Sequence, residues 1–430
     1  MINTAITPDS NGDYLYARVG HFTVGDRVYY DNYSAMKSSH QTKTPIKWHF
    51  FNDVWSKSHA QGLWKNLTLP TLYRQRALQI RQQYEHVSLL FSGGWDSRNI
   101  LDTFDRENIR LDAIVIYTVP ELENTTNYNN HDSANWYGEV KFNAVPYAKE
   151  FCRRHPETKL IEIPWLDYTI EKYIGQMDEL AQACRVKPGV WFGCRLSVSR
   201  SPKMLKELGY KNGCLLSGID KPCIIHHGLK QALGFFPEGL LRFASYPTKS
   251  FGFQENQIWE PFYWTPNLPE LAIRGWYELL NLCHRDSLVA RAHDSNTSTN
   301  ERMNLKMSQY VQDRLREMLY RQFDPTVWQP DKQREWGFFM SNETPIINLL
   351  NKKGLPWKDM LSEVLIELNN TVGEENLIIG SQQDQNTAVW INKFISDNST
   401  ALAYQNQSGQ MIDLDINYLC PNDLDINILV

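Results

Sequence analysis

The pattern of apolar and polar residues between positions 71 and 217 predicts alternating helices and strands. Residues 86–91 form an apolar run with few interruptions, which is typical of a strand buried on both faces of a parallel sheet. A Gly-rich turn, a helical segment and a second apolar run follow within about 35 residues, as in a βαβ unit. The predicted strands are 86–91, 111–119, 159–164 and 213–217, and the predicted helices are 71–84, 98–104, 136–154, 168–184 and 201–208. This alternation predicts an α/β fold with a doubly wound parallel sheet.

The flanking parts of the chain differ from this central pattern. Short alternating stretches at 14–19 and 21–30, with a polar segment at 38–44, favour strands near the beginning, whereas the clearest periods beyond position 220 are helical, at 269–282 and 304–323. The predicted regions are a small β-rich N-terminal region (1–70), a central α/β domain (71–345), and a C-terminal helical region with an acidic tail (346–430).

Several local segments receive structural interpretations. Glu260-Pro261-Phe262 is interpreted as a turn, and the Arg-rich segments 74–81 and 314–321 as solvated helix faces. Because neighbouring residues of a strand point to opposite faces, His226 and His227 are not expected to share a metal ion. His131 lies in a polar segment and is interpreted as a solvated loop residue.

Charge and cysteine content narrow the classes of partner. The chain has 44 Lys and Arg against 49 Asp and Glu, so its net charge of −5 gives no global positive field for nucleic acid or an anionic membrane, although a local basic groove is not excluded. No apolar run reaches about 18 residues and residues 1–11 lack signal-peptide features, so we expect a cytoplasmic protein without a membrane partner. Seven cysteines without a CxxC pair favour reduced structural thiols.

The segment after the first predicted strand carries the clearest chemistry. Gly93 and Gly94 allow a ligand to approach the main chain, and the following helix presents unpaired N–H groups, so phosphate oxygens are the natural occupant. Ser92 and Ser97 add hydroxyl groups, and Asp96 would be repelled by a polyphosphate unless it held a divalent cation. No Lys follows the glycines as in G-x-x-x-x-G-K-[ST], which disfavours γ-phosphate transfer.

Ser92-Gly93-Gly94-Trp95-Asp96-Ser97 resembles the SGGxDS pyrophosphate loop (PP-loop) of the ATP pyrophosphatases, which cleave ATP between the α- and β-phosphates. Within that superfamily, residues 72–339 look most like the synthetase domain of glutamine-dependent asparagine synthetases and the related β-lactam synthetases. The resemblance implies an adenine nucleotide α-hydrolase-like fold, ATP and Mg²⁺ as cofactors, and a substrate oxygen that is adenylated before an amine displaces AMP.

Two further stretches carry the narrower resemblance and imply individual roles. Residues 214–220 resemble the family's LSGxGxDE segment, which implies that Ser217 and Gly218 lie beside adenine and that Asp220 is catalytic and, with Asp96, binds Mg²⁺. Residues 328–333 resemble the segment that supplies a Lys to the pyrophosphate and the intermediate, which implies this role for Lys332. The expected nucleotide-binding residues are Leu90, Ser92, Gly93, Gly94, Asp96, Ser97, Tyr117, Ser217 and Gly218.

The chain departs from the family at its nitrogen supply and at the second motif. Position 2 is Ile2 where the glutamine-dependent enzymes have a catalytic Cys, and the stretch before the loop is short, so we expect no glutaminase activity. Cys152 is interpreted as a structural thiol on a basic helix end. The second motif is two residues shorter, with Ile219 at the position of a carboxylate and Lys221 where the family has an acidic residue.

These residues predict an ATP- and Mg²⁺-dependent ligase that adenylates a small-molecule carboxylate or an amide-like oxygen and transfers it to an amine. The amine would be ammonia, a substrate amine or the product of a separate glutaminase partner. Two alternatives stay open. The first is a PP-loop enzyme that modifies tRNA or a nucleobase. The second is a nucleotide-binding or structural protein without turnover, which is favoured by Lys221 at a position that is acidic in the family.

Overall fold

The structure is a computed structural model. It describes residues 21–29, 32–44, 46–49, 52–118, 138–164, 213–218, 221–229, 231–235 and 257–327. The helices predicted at 168–184 and 201–208, the polar segment with His131, the residues Asp220 and Lys332, and the C-terminal region lie outside the described residues.

The described residues form ten strands and nine α-helices. The strands are β1 (His21–Val24), β2 (Arg27–Tyr29), β3 (Ile46–His49), β4 (His86–Leu90), β5 (Ala113–Thr118), β6 (Lys159–Pro164), β7 (Gly213–Ser217), β8 (Cys223–His227), β9 (Gln231–Phe235) and β10 (Gln257–Pro261). The α-helices are α1 (Asn32–Thr42), α2 (Asn52–Gln61), α3 (Leu69–Gln83), α4 (Trp95–Arg106), α5 (Val145–Arg154), α6 (Pro269–Arg285), α7 (Ser287–His293), α8 (Thr299–Met307) and α9 (Gln309–Leu319). A 3₁₀-helix covers Leu63–Asn66, and a π-helix covers Glu139–Ala144.

Five parallel strands form the central sheet, in the order β10-β7-β4-β5-β6. The chain adds β5 and β6 on one side of β4, then adds β7 and β10 on the other side, so the direction of winding reverses at β4. The predicted α/β class and parallel sheet are confirmed, and the strand order is compatible with a doubly wound fold.

Both faces of the central sheet are buried. Val87 and Leu89 of β4 lie in the larger apolar core together with Ile80 of α3 and Phe104 of α4. The opposite face carries a smaller buried cluster, made of Ala113, Val115, Ile163 and Leu215. Burial on two faces explains why these strands appear in the sequence as nearly continuous apolar runs.

The described part of the N-terminal region contains helices as well as the expected strands. Its described strands form a three-stranded antiparallel sheet in the order β2-β1-β3, but two helices, α1 and α2, accompany them. Most of the polar segment 38–44 belongs to α1, where Ser38 and Ser39 are buried. The two serines bond within the region, because Tyr29 donates to Ser38 Oγ at 2.7 Å and Ser39 donates to the Thr44 carbonyl at 2.7 Å.

The interpretation of Glu260-Pro261-Phe262 as a turn was wrong, because Glu260 and Pro261 end strand β10. Pro261 is tolerated there because it is the last residue of a strand that has no second neighbour among the described strands. The region after position 220 also contains the antiparallel β8-β9 hairpin, which the helical periodicity did not indicate.

The helix predicted at 304–323 consists of two helices, α8 and α9, separated at Ser308. The Ser308 hydroxyl accepts a hydrogen bond from the Val311 amide at 3.4 Å, so this residue caps α9 instead of continuing α8. None of the helices in the described ranges is long and apolar enough to cross a lipid bilayer.

The Arg-rich segments are not uniformly solvated, contrary to the expectation from sequence. Arg76 on α3 is only 1% exposed and Arg316 on α9 is 8% exposed. Arg76 donates to Glu260 Oε2 at 2.6 Å, and Arg316 donates to Asp313 Oδ1 at 3.1 Å. Each buried guanidinium therefore has a carboxylate partner, as burial of a charge requires.

Candidate functional site

The loop between β4 and α4 lies where the winding of the sheet reverses. Residues 91–94 leave the carboxyl end of β4, beside the carboxyl end of the neighbouring strand β7. In open α/β sheets, ligands bind in the crevice outside the carboxyl ends of the strands at this switch point. The position predicted from the SGGxDS motif is therefore the position at which this topology places a ligand site.

Two serine hydroxyls organise the loop. The Ser92 amide donates to Ser97 Oγ at 3.3 Å, and the two hydroxyl oxygens are 3.2 Å apart. Ser97 Oγ donates to the Gly94 carbonyl at 3.0 Å, and the Gly94 amide donates to Ser92 Oγ at 3.3 Å. Ser97 is buried whereas Ser92 is exposed. The Ser97 hydroxyl therefore holds the loop, and the Ser92 hydroxyl faces solvent.

Helix α4 begins at Trp95, three residues earlier than expected, directly after Gly94. Gly94 is the extended N-cap residue, and its carbonyl accepts the first helical hydrogen bond from Arg98 at 2.9 Å. Asp96 and Ser97 therefore belong to the first turn of the helix, whose amides have no partner within the helix. This turn presents N–H groups and the positive end of the helix dipole to the crevice.

The backbone of the loop is held against the π-helix Glu139–Ala144. Gly93 has a φ of 85°, and a Cβ at this position would lie 2.6 Å from the Ala144 amide nitrogen. A Cβ on Gly94 would lie 3.1 Å from Glu139 Oε1. Gly93 is therefore required both for its conformation and for its close contact with another backbone. Sequence reasoning did not find this contact, because residues 93 and 144 are distant in the chain.

Asp96 is held by contacts to both carboxylate oxygens and to its backbone. Lys221 Nζ lies 2.9 Å from Oδ2, and the Tyr320 hydroxyl donates to Oδ1. Tyr263 donates to the Asp96 carbonyl at 2.7 Å. Burial, followed by the Asp96 charge, raises the pKa of both tyrosines well above the usual value, so they stay protonated donors at neutral pH.

These contacts do not fit Asp96 as a magnesium ligand. Mg²⁺ requires oxygen ligands in a near-octahedral arrangement, whereas one Asp96 oxygen faces an ammonium group and the other accepts from a phenol. Within the described ranges, no group of three or more His, Cys, Asp or Glu side chains is placed to hold a metal ion. The second expected ligand, Asp220, lies outside these ranges.

Ser217 and Gly218, the expected adenine neighbours, lie beside the first turn of α4. Ser217 is 1% exposed at the end of β7. A Cβ on Gly218 would lie 3.0 Å from the Asp96 carbonyl carbon and 3.1 Å from the Ser97 amide nitrogen. The structure thus brings the second motif into contact with the first motif.

The other expected nucleotide-binding residues lie near the ends of the strands. Leu90 is half-buried at the last position of β4, and Tyr117 is half-buried near the end of β5. Both pack against the smaller apolar cluster on the sheet face opposite α4. Lys332, expected at the pyrophosphate, lies outside the described residues.

Arg98 is a buried cation near the loop that sequence reasoning did not select. Its guanidinium carbon lies 4.2 Å from the ring centroid of Tyr147 and 4.9 Å from that of Trp95. Asp102 lies one turn further along α4 and accepts from the Tyr147 hydroxyl. Burial raises the pKa of Asp102, opposed by the hydrogen bond from Tyr147 and the charge of Arg98. The i, i+4 spacing of Arg98 and Asp102 was the available signal.

The remaining candidates are the paired histidines and Cys152. His226 and His227 point to opposite faces, as expected: His226 is buried and His227 is exposed. His226 Nε2 lies 3.0 Å from the Ala290 carbonyl. Burial raises the pKa of the Cys152 thiol, which opposes formation of a reactive thiolate.

A scan against protein-family models finds no match, and a search of curated proteins finds no relative.

Proposed function

We propose that the chain binds ATP with its phosphates on residues 92–97 and transfers the adenylyl group to a carboxylate or amide-like oxygen. The supporting observation is the position of the SGGxDS loop, at the carboxyl end of β4 where the strand order reverses and a helix begins. Loop amides and a helix N-terminus at a switch point are suited to phosphate oxygens. The same strand order supports the finer proposal of an adenine nucleotide α-hydrolase-like fold.

In the proposed reaction the acceptor oxygen attacks the α-phosphorus, and the bond to the α–β bridging oxygen breaks. Pyrophosphate leaves with the electron pair of that bond, and the loop amides and the α4 N-terminus stabilise its charge. An amine then attacks the activated carbonyl carbon, and AMP departs. The absence of a Lys after the glycines fits release of pyrophosphate better than transfer of the γ-phosphoryl group.

The proposal extends to residues that the structure does not describe. Lys332 would contact the pyrophosphate, and Asp220 would be a catalytic residue, as the resemblance implies. The amine would be ammonia or a substrate amine, supplied directly or by a separate glutaminase.

A second candidate function is ATP binding without turnover. One observation favours it: the side chain beside Asp96 is Lys221, a position that is acidic in the family the loop resembles. Under this proposal the same loop binds nucleotide, but no acceptor is adenylated.

Two measurements test the proposed reaction. The first is chromatography of the nucleotide after incubation of the protein with ATP, ammonia and a panel of small carboxylates, which is expected to give AMP and not ADP. The second is ATP–pyrophosphate exchange with each carboxylate and, separately, with tRNA. Exchange with a carboxylate supports the proposed ligase, and exchange with tRNA alone supports the nucleic-acid alternative. Formation of ADP as the main product contradicts adenylyl transfer. ATP binding without ATP–pyrophosphate exchange supports the second candidate function, a nucleotide-binding protein without turnover.

A further inference from the structure

The first turn of α4 contains a negative charge at the place proposed for an anionic ligand. Asp96 lies two residues after the Gly94 N-cap, and its side chain is about one-third exposed, at 34%. An unpaired carboxylate here would repel a polyphosphate, because like charges separated by a few ångströms interact unfavourably. A positive charge next to Asp96 is therefore needed if phosphates bind at this loop.

Lys221 supplies a positive charge at that place. Its ammonium nitrogen is 2.9 Å from Asp96 Oδ2, and 25% of its side chain surface is exposed. An ammonium group is a compact point charge that suits phosphate oxygens as well as carboxylates. The pair is thus accessible to a ligand from solvent and is not enclosed in the core.

Described residues near Lys221 in the chain are packed. Gly218, three residues earlier, lies against the backbone of Asp96 and Ser97. Pro222, the next residue, is buried against α6, where a Cβ on Gly275 would lie 2.7 Å from Pro222 Cγ. Gly218 and Pro222 therefore restrict the path of the chain near Lys221, and Tyr320 holds the other oxygen of Asp96.

We propose that the Lys221 ammonium group, paired with Asp96, is the cation beside the ATP phosphates and that it replaces a divalent metal at this position. The inference rests on the proposed ATP site at residues 92–97. It predicts that nucleotide binding does not require Mg²⁺, because a cation beside the loop is already part of the chain.

Calorimetric titration of ATP into the full chain, once with EDTA and once with Mg²⁺, tests this inference. The wild-type affinity is expected to agree within about threefold between the two buffers, because the cation does not come from solution. The ATP affinity of Lys221→Met in EDTA should be at least about tenfold lower than that of wild type, which is the scale of one charge-assisted hydrogen bond. Mg²⁺ should restore part of this affinity. Lys221→Arg should retain most of the binding.

Two further variants control for charge and for the role of Asp96. Lys149→Met removes the same charge from an exposed side chain that lies 4.0 Å from Glu162, and its ATP affinity should be unchanged. Asp96→Asn removes the carboxylate that neutralises Lys221, so this variant should bind ATP more tightly than wild type in EDTA. Circular dichroism of each variant verifies the fold.

The outcomes separate this inference from the proposed function. The inference is overturned if wild type binds ATP only with Mg²⁺ and Asp96→Asn abolishes this binding. That result would still support the proposed ATP site. Equal affinities of Lys221→Met and Lys149→Met in EDTA also overturn it. Absence of ATP binding in both buffers contradicts the proposed function and the inference together.

Discussion

At the scale of single residues, a buried ion pair joins helix α3 to the last strand of the sheet. Arg76 donates to Glu260 Oε2 at 2.6 Å and to the Pro261 carbonyl at 2.8 Å, and Tyr84 donates to the other oxygen of Glu260. Arg76 and Glu260 are 1% and 6% exposed. Removal of one partner from such a pair leaves the other charge buried without a counter-charge. This lowers the free energy of unfolding by more than the intact pair contributes to it.

Arg76→Met is expected to lower the free energy of unfolding by about 3 kcal/mol or more, because Glu260 loses its charged partner in the core. Arg74→Met is the matched control on the same helix: Arg74 is 57% exposed and lies 2.8 Å from Glu107. This control should cost about 0.5 kcal/mol, as solvent-exposed pairs do. Urea denaturation of both variants measures the two free energies of unfolding. Similar decreases in the two variants would show that the buried Arg76 pair matters no more to stability than the exposed Arg74 pair.

At the scale of elements, the π-helix and the loop form one packed unit. Pro146 follows the π-helix and lacks a backbone N–H, so the α-helical hydrogen bond from position 146 to position 142 cannot form. The wider π turn brings Ala144 against Gly93, where the space leaves no room for a side chain. π-Helical turns occur frequently at functional sites, and this one supports the candidate site directly.

Gly93→Ala should destabilise the chain by at least about 2 kcal/mol more than Gly228→Ala, because only the former adds a backbone clash. Both glycines have positive φ, 85° at Gly93 and 54° at Gly228, and a Cβ on Gly228 meets no atom within 4 Å. Gly228→Ala therefore shows the cost of the conformation alone, about 1 kcal/mol. Unfolding midpoints in urea measure both, and equal shifts would show that Ala144 does not restrict the loop.

At the scale of the whole molecule, the sheet places two sequence motifs that are far apart in the chain side by side. The loop after β4 and the residues after β7 meet because these strands are neighbours with parallel carboxyl ends. Gly218 contacts Asp96, and Lys221 pairs with it. The candidate site is thus a product of strand order as much as of the loop sequence.

The sequence predicted the features that depend on local pattern. Strands β4, β5 and β7 are buried apolar runs. The predicted ranges of 159–164 and 213–217 agree with β6 and β7. The start of α4 was placed too late because Trp95, Asp96 and Ser97 interrupt the apolar period, although Gly94 already acts as the N-cap. Local signals therefore located the loop but not the first helical turn.

Long-range contacts account for what the sequence could not predict. The Glu260 strand was missed because the buried carboxylate of Glu260 has its partners, Arg76 and Tyr84, 184 and 176 positions away in the chain. In the same way, nothing near Lys221 in the chain indicates that it reaches Asp96, and nothing near Gly93 indicates Ala144. These contacts depend on the folded sheet, which is why the partners of Asp96 and Gly93 could not be predicted from local sequence.

Amide hydrogen exchange with and without ATP tests the central claim, that the ATP phosphates bind at residues 92–97. Phosphate oxygens that accept from the loop and first-turn amides should slow their exchange, so peptides covering residues 91–98 should show added protection, and those covering α8 and α9 should serve as the internal reference. Protection confined to other regions, with unchanged exchange at 91–98 at a saturating ATP concentration, would contradict the claim.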